Sequence, residues 1–365
     1  VAERHRTIGY GARVALTAID GPAGPPWQPP LAGTLEALVV ESDILAGNPL
    51  GDPARRPLYV YTPPGVRSER ELPSVYLIQG FTGQLDMWLA RSAFEPTIFE
   101  RLDRMFATTD TPAAVIVCVD AWTRLGGSQF LNSPALGRYM DYLCDEVVPF
   151  IDGRYATAAS RERRGIAGKS SGGYGAMVTP MLRPDVFGAL ASHAGDALFE
   201  CSMLPRFPHV ARALRDHFEA SYEVFHRRLA EAPAFDFHRF GEPLEMYAYA
   251  AAYSPDPADP AGPPLLPFDL RTGRLVDEVW ERWLDHDPVR MVGPHAEALR
   301  TMRRIYLDAG RSDEAFLDLG AEAVSAELHA HGIAHSIELF DGRHGGISYR
   351  YPGAIRELIT ALAAD

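Results

Sequence analysis

Cysteine is scarce in this chain. Its 365 residues hold three, Cys118, Cys144 and Cys201, odd in number, widely spaced and without a Cys-x-x-Cys pair. That pattern argues against a disulfide framework and against a cysteine-based zinc centre. His226 and His238 lack ligand spacing as well, so no metal site is expected. Positive charge is also in deficit, since 35 Lys and Arg face 48 Asp and Glu for a net charge of -13. A nucleic-acid binder or a protein adsorbed to anionic membranes would carry the opposite balance. No apolar run approaches the ~18 residues of a membrane span. Val14–Ile19, broken by Asp20, is too short for the core of a signal peptide, and the cytoplasm is the expected address. Neither a repeat of fixed period nor a coiled coil is present, and nothing calls for a cofactor.

What the chain does have is apolar material, 47% of its residues. That is ample for one large α/β domain with an insertion, or for two smaller domains. Ile8–Ile19 reads as a strand, followed by a proline-rich connector over residues 21–30 that carries Trp27. Leu35–Leu45 and Pro57–Thr62 read as two early strands that suggest an antiparallel start. The apolar runs Ser74–Gln79 and Ala113–Val119 read as buried strands, with a helix over Trp88–Met105 between them and another over Tyr139–Ile151. Val186–Ser192, Arg304–Gly310 and His335–Phe340 continue the strands, and Phe316–His331 and Ile355–Ala363 the helices. Such alternation implies a mainly parallel sheet with helices on both faces. It fails between about Phe199 and Arg290, an aromatic-rich stretch interrupted by the prolines of residues 254–264. This stretch is read as an inserted helical cap, with a second packed subdomain equally compatible. The expected organisation is an arm with the first strands (1–56), a core in two parts (57–198 and 296–365) and the insertion (199–295).

Gly168-Lys169-Ser170-Ser171-Gly172 matches Gly-x-Ser-x-Gly, the nucleophile elbow, where a serine stands on a strained turn between strand and helix. Ile166-Ala167 before it reads as the end of a buried strand and Tyr174–Leu182 after it as a helix, the order the motif needs. Ser170 is the candidate nucleophile; the rival, Ser171, is preceded by Lys169 where a glycine belongs. A serine hydroxyl needs a base and a group to orient that base, and in α/β-hydrolases these follow in the order acid, then histidine. Asp313, with Glu314 as second choice, follows the strand ending at Gly310, and His344 follows the last strand amid glycines. The backbone N–H groups of Ser171 and Phe81, the latter in Gly80-Phe81-Thr82-Gly83, are the candidate oxyanion donors. Lys169 is weighted towards solvent, with a role beside the serine as the alternative. His193 and Asp196 stand at a strand end on the same rim. Trp280, Trp283, Phe235, Phe237, Tyr247 and Tyr249 of the insertion are candidates for the lining of an acyl or aromatic pocket, although aromatics at such spacing are more often core, so that only a bulky apolar cap is expected.

Taken with Pro149-Phe150-Ile151-Asp152-Gly153-Arg154-Tyr155 and Arg164-Gly165-Ile166-Ala167-Gly168-Lys169-Ser170-Ser171-Gly172-Gly173-Tyr174-Gly175-Ala176, these motifs resemble the putative-esterase, esterase D-like family of α/β-hydrolases. That family includes formylglutathione hydrolases, enterochelin and feruloyl esterases, and mycolyltransferases. The resemblance implies an α/β-hydrolase fold, a Ser170–His344–Asp313 triad with donors from Phe81 and Ser171, and a small-molecule ester as substrate. Three features depart from the family pattern: Lys169 within the elbow, Gln79-Gly80-Phe81 where many relatives have an acidic residue or histidine before the glycine, and the long insertion. A serine esterase working through an acyl-enzyme is the leading expectation. Acyl transfer by the same triad, and a non-catalytic binding protein on a hydrolase scaffold, are its rivals. The sequence allows a homo-oligomer without indicating one.

Overall fold

The computed structural model describes residues 30–66, 71–92 and 94–364. The expected strand at Ile8–Ile19 and nearly all of the proline-rich connector, including Trp27, lie outside them. Eight strands form one sheet: β1 (Thr34–Glu41), β2 (Arg55–Thr62), β3 (Ser74–Ile78), β4 (Val115–Val119), β5 (Arg164–Lys169), β6 (Ala189–His193), β7 (Arg304–Gly310) and β8 (Ser336–Phe340). Their spatial order is β1-β2-β4-β3-β5-β6-β7-β8. β1 pairs antiparallel with β2, and β2 antiparallel with β4, while the remaining pairs are parallel.

Every residue of β3, β4 and β6 is buried. A parallel strand reads as a continuous apolar run for that reason, because crossover helices cover both faces of its sheet. Side chains leave a strand alternately, and the core divides accordingly. Tyr76 and Ile78 of β3 pack with Tyr142 and Val178 on one face, whereas Val75 and Leu77 pack with Phe99 and Leu358 on the other. The first face carries α2 (residues 139–152, with a π turn over Tyr142–Val147) and α3 (Ser171–Leu182); the second carries α1 (Ile98–Thr108) and the C-terminal helix Tyr351–Ala363.

The expected helix over Trp88–Met105 is broken. A short 3-10 turn occupies Leu85–Leu89, and α1 starts only at Ile98. Pro96 has no N–H to donate, and Thr97 with Glu100 forms a capping box that fixes the start: Thr97 Oγ1 accepts from the Glu100 amide at 3.2 Å, and the Glu100 carboxylate accepts from the Thr97 amide at 2.7 Å. Between β6 and β7 the chain forms α4 (Phe207–Phe218), α5 (Tyr222–Glu231), α6 (Glu242–Tyr253) and α7 (Asp277–Leu284), with the proline-rich stretch irregular between α6 and α7. α8 (Leu317–Ala330) and α9 (Tyr351–Ala363) complete the fold. The loops after β3, β5, β6, β7 and β8 all leave from carboxyl ends of strands, where open α/β sheets gather ligands.

Candidate active site

At the end of β5 the backbone turns sharply. Ser170 has φ 59° and ψ -128°, a sparsely populated conformation for a non-glycine residue that persists only where its surroundings enforce it. Its N–H donates to His193 O at 3.0 Å and Ala194 O at 3.1 Å, and its carbonyl accepts from Tyr174 N at 2.8 Å. Glycine is required beside it on packing grounds. A Cβ on Gly172 would stand 2.4 Å from Ile78 O, and one on Gly168 2.4 Å from Gly172 O, so only bare backbone lets β3, β5 and α3 approach this closely.

The turn presents the Ser170 hydroxyl to His344 on the loop after β8. His344 Nε2 lies 3.2 Å from Ser170 Oγ, and its Nδ1 lies 2.8 Å from Asp313 Oδ2. Asp313 sits after β7 with its side chain shielded from solvent, and its second oxygen accepts from Ala315 N at 2.9 Å. The neighbouring acid does something different. Glu314 accepts the His344 amide N–H at 3.0 Å and pairs with Arg343, contacts that hold its carboxyl below the usual carboxylate range, the His344 N–H foremost. Asp313 therefore meets the imidazole, and Glu314 steadies the loop that carries it.

The amide of Ser171, first residue of α3, has no intrahelical partner, and the Phe81 amide likewise has no acceptor among the described residues. Phe81 lines the same space as Ser170, and the Gly80–Gly83 loop crosses the elbow so closely that a Cβ on Gly80 would stand 2.8 Å from Lys169 O. This space opens into a cavity of about 870 Å³. Phe81, Lys169, Ser170 and His344 line it from the sheet, and Arg206, Phe237, Glu242, Glu245 and Tyr249 from the inserted helices.

Three of the sequence candidates lie elsewhere. Trp280 and Trp283 are buried in the interior of the inserted region, where Trp283 Nε1 donates to Ser254 Oγ at 2.9 Å; neither lines the cavity. His193 is fully buried within the sheet, its Nδ1 2.7 Å from Asp308 Oδ1. Lys169, weighted towards solvent from sequence, faces the cavity instead.

Asp196 does reach the cavity wall. Its Oδ2 accepts from Gln129 Nε2 at 3.1 Å, Ser171 Oγ at 3.2 Å and Tyr249 OH at 3.3 Å. Burial, reinforced by the charge of Glu245, pushes its carboxyl up to about 6 against those hydrogen bonds and the influence of His344. Of the insertion aromatics expected as pocket candidates, Tyr249 and Phe237 do line the cavity; Gln129, Glu245 and Arg206 had no signature in the sequence, because each reaches this wall through long-range packing.

A sheet in this strand order, with a serine on a strand-to-helix turn and a histidine after the last strand, defines an α/β-hydrolase. Within that class the chain belongs to the family described as Putative esterase, whose model matches residues 53–350. No curated protein sequence matches it. Similar solved structures include a ferulic acid esterase (17% identity, TM-score 0.55, covering 90% of this chain and 98% of that one). An S-formylglutathione hydrolase from Agrobacterium tumefaciens is similar too (16% identity, TM-score 0.54, 92% and 98% covered), as is the fluorophosphonate-binding serine hydrolase FphF of Staphylococcus aureus (15% identity, TM-score 0.55, 91% and 99% covered). At such identities these likenesses bear on fold. Family membership supports an ester hydrolase acting on small-molecule esters. Among the described residues no helix is long and apolar enough to cross a membrane.

Proposed function

We propose that this protein is a serine esterase that cleaves a carboxylic ester through an acyl-enzyme. The observation that carries the reading is the continuous chain from Ser170 Oγ to His344 at 3.2 Å and from His344 to Asp313 at 2.8 Å. His344 Nε2 takes the Ser170 proton as Oγ adds to the ester carbonyl, and Asp313 fixes the tautomer with the proton on Nδ1 and stabilises the imidazolium that forms. The Phe81 and Ser171 amides hold the developing oxyanion, which supplies more stabilisation to the tetrahedral state than to the planar ester. His344 then protonates the leaving alkoxide. Water, deprotonated by the same imidazole, adds to the acyl-enzyme and releases the acid with Ser170 restored.

The Ser170→Ala protein should lose p-nitrophenyl ester turnover by at least about 10³-fold while its circular dichroism spectrum is unchanged. A fluorophosphonate probe should label the wild type at Ser170. Turnover near the wild-type rate in a folded Ser170→Ala protein would remove Ser170 from the mechanism.

A further inference from the structure

One charged side chain in the cavity makes no direct hydrogen bond or ion pair. Every other charged side chain on the wall has a partner. Glu95 pairs with Arg101, Arg206 with Glu242 and Glu245, Glu314 with Arg343, and His344 with Asp313, while Asp196 accepts its three hydrogen bonds. The Lys169 side chain has no hydrogen bond or ion pair among the described residues. It is also the only lysine in the sequence, every other basic side chain among the 35 being arginine. Lysine and arginine are not equivalent at such a place, since an ammonium is a compact point charge on a flexible stem.

Its surroundings share the same imbalance. Lys169 stands opposite His193 in the β5–β6 register, so its side chain leaves the sheet on the face where Tyr351 packs on His193, ring centroids 4.5 Å apart. Trp88 meets Tyr351 edge-on at 5.6 Å, and both line the cavity with Lys169. Trp88 Nε1 is buried with no acceptor, and the Tyr351 hydroxyl makes no hydrogen bond among the described residues. This end of the cavity is thus lined by an ammonium without a partner beside two packed aromatic side chains. Burial lowers the proton affinity of the Lys169 amine, against the pull of Asp313, Asp196 and Glu314, and an incoming anion would reverse that shift. A carboxylate, with about four lone-pair positions, answers both the charge of the ammonium and its three N–H donors.

We infer that Lys169, beside Trp88 and Tyr351 in the cavity wall, forms a carboxylate subsite, so that the ester cleaved at Ser170 carries a second, free carboxylate close to the scissile carbonyl, as a half-ester of a dicarboxylic acid does. Lys169 and Ser170 rise from adjacent Cα atoms about 3.8 Å apart, which limits the spacer to a few bonds. The inference rests on the serine-esterase reading and is tested apart from it by a matched pair, mono-p-nitrophenyl glutarate and p-nitrophenyl valerate. These share chain length and differ in the terminal carboxylate.

The wild type should favour the glutarate half-ester in kcat/KM, chiefly through KM. Lys169→Met should reduce that preference on the order of 10- to 100-fold, the range for a charge-assisted hydrogen bond, and Lys169→Arg should restore part of it. If Lys169→Met slows both esters by the same factor, Lys169 acts on the triad rather than on a substrate carboxylate and the subsite is overturned. Ser170-independent turnover would overturn the serine reading instead. Because the chain has one lysine, amine acylation mapped to Lys169 gives a second readout that needs no turnover. In the Ser170→Ala protein, glutarate should protect Lys169 and valeramide should not; equal labelling with and without glutarate would also overturn the subsite.

Discussion

Asp196 is an acid that the fold holds in a place unfavourable to its charge. Its carboxyl titrates near 6 in the folded protein because it is buried beside Glu245, against about 3.9 in an unfolded chain. Between those values the folded state retains a proton that the unfolded state has released. Stability from this group is accordingly greatest below pH 4, falls as pH rises towards 6, and is level above it. Asparagine keeps an oxygen for the Gln129, Ser171 and Tyr249 donors and has no proton to lose. Urea unfolding should show the Asp196→Asn protein gaining about 1–3 kcal/mol relative to wild type between pH 4.5 and 7.5. A difference that does not change with pH would show that Asp196 is not raised. At this scale legibility from sequence depended on motif. Ser170, Asp313 and His344 announce themselves by small neighbours and by following strands, and the structure brings them together. Lys169 has the same position in the elbow motif whether it faces water or substrate, and only the β5–β6 register separates the two.

Strand ends carry the site, and one of them is anchored from below. Arg350, just past the histidine loop, donates through Nε to Asp308 Oδ2 at 3.0 Å and through Nη2 to Tyr306 OH at 2.8 Å, and also pairs with Glu338. The loop bearing His344 is thereby tied to β7, the strand that leads to Asp313. Asp308 is wholly buried, and removing one partner of a buried pair costs on the order of 3–5 kcal/mol because a charge is left behind. The His193 and Tyr306 contacts remain, so the Arg350→Met protein should be destabilised by about 3 kcal/mol in urea unfolding. A loss under about 0.5 kcal/mol, the level of an ordinary surface substitution, would mean that the anchor is dispensable. The strands themselves were legible because parallel burial writes continuous apolar runs, as in Ser74–Ile78 and Val115–Val119. Asp308 was legible only as an acid inside a strand, since its partners come from His193 and Arg350, 115 and 42 residues away.

The insertion was the part of the molecule least open to reading, because its aromatics divide between two roles that their spacing does not separate. Phe237 and Tyr249 line the cavity, whereas Trp280 and Trp283 face Phe207, at 5.4 and 5.7 Å between ring centroids, and Tyr253 lies 5.4 Å from Trp283. They are the interior of the inserted region. That interior is continuous with the body: Phe207, Tyr253 and Trp283 belong to the same apolar cluster as Tyr76, Ile166 and Val178 of the sheet and α3. A lid that opened as an independent unit would need a seam of exposed or polar contacts, and packing of this kind instead couples the two parts in unfolding. Trp283 is fully buried, so Trp283→Ala should cost about 3–5 kcal/mol. If the insertion and sheet share one core, calorimetry of the Trp283→Ala protein will show a single transition moved to lower temperature, and proteolysis during the transition will cut the insertion and the sheet together. An early, separate transition with cleavage confined to residues 199–295, followed by unfolding of the sheet at the wild-type temperature, would show that the wall of the cavity formed by Arg206, Glu242, Glu245 and Tyr249 can detach from the strand ends that carry Ser170 and His344.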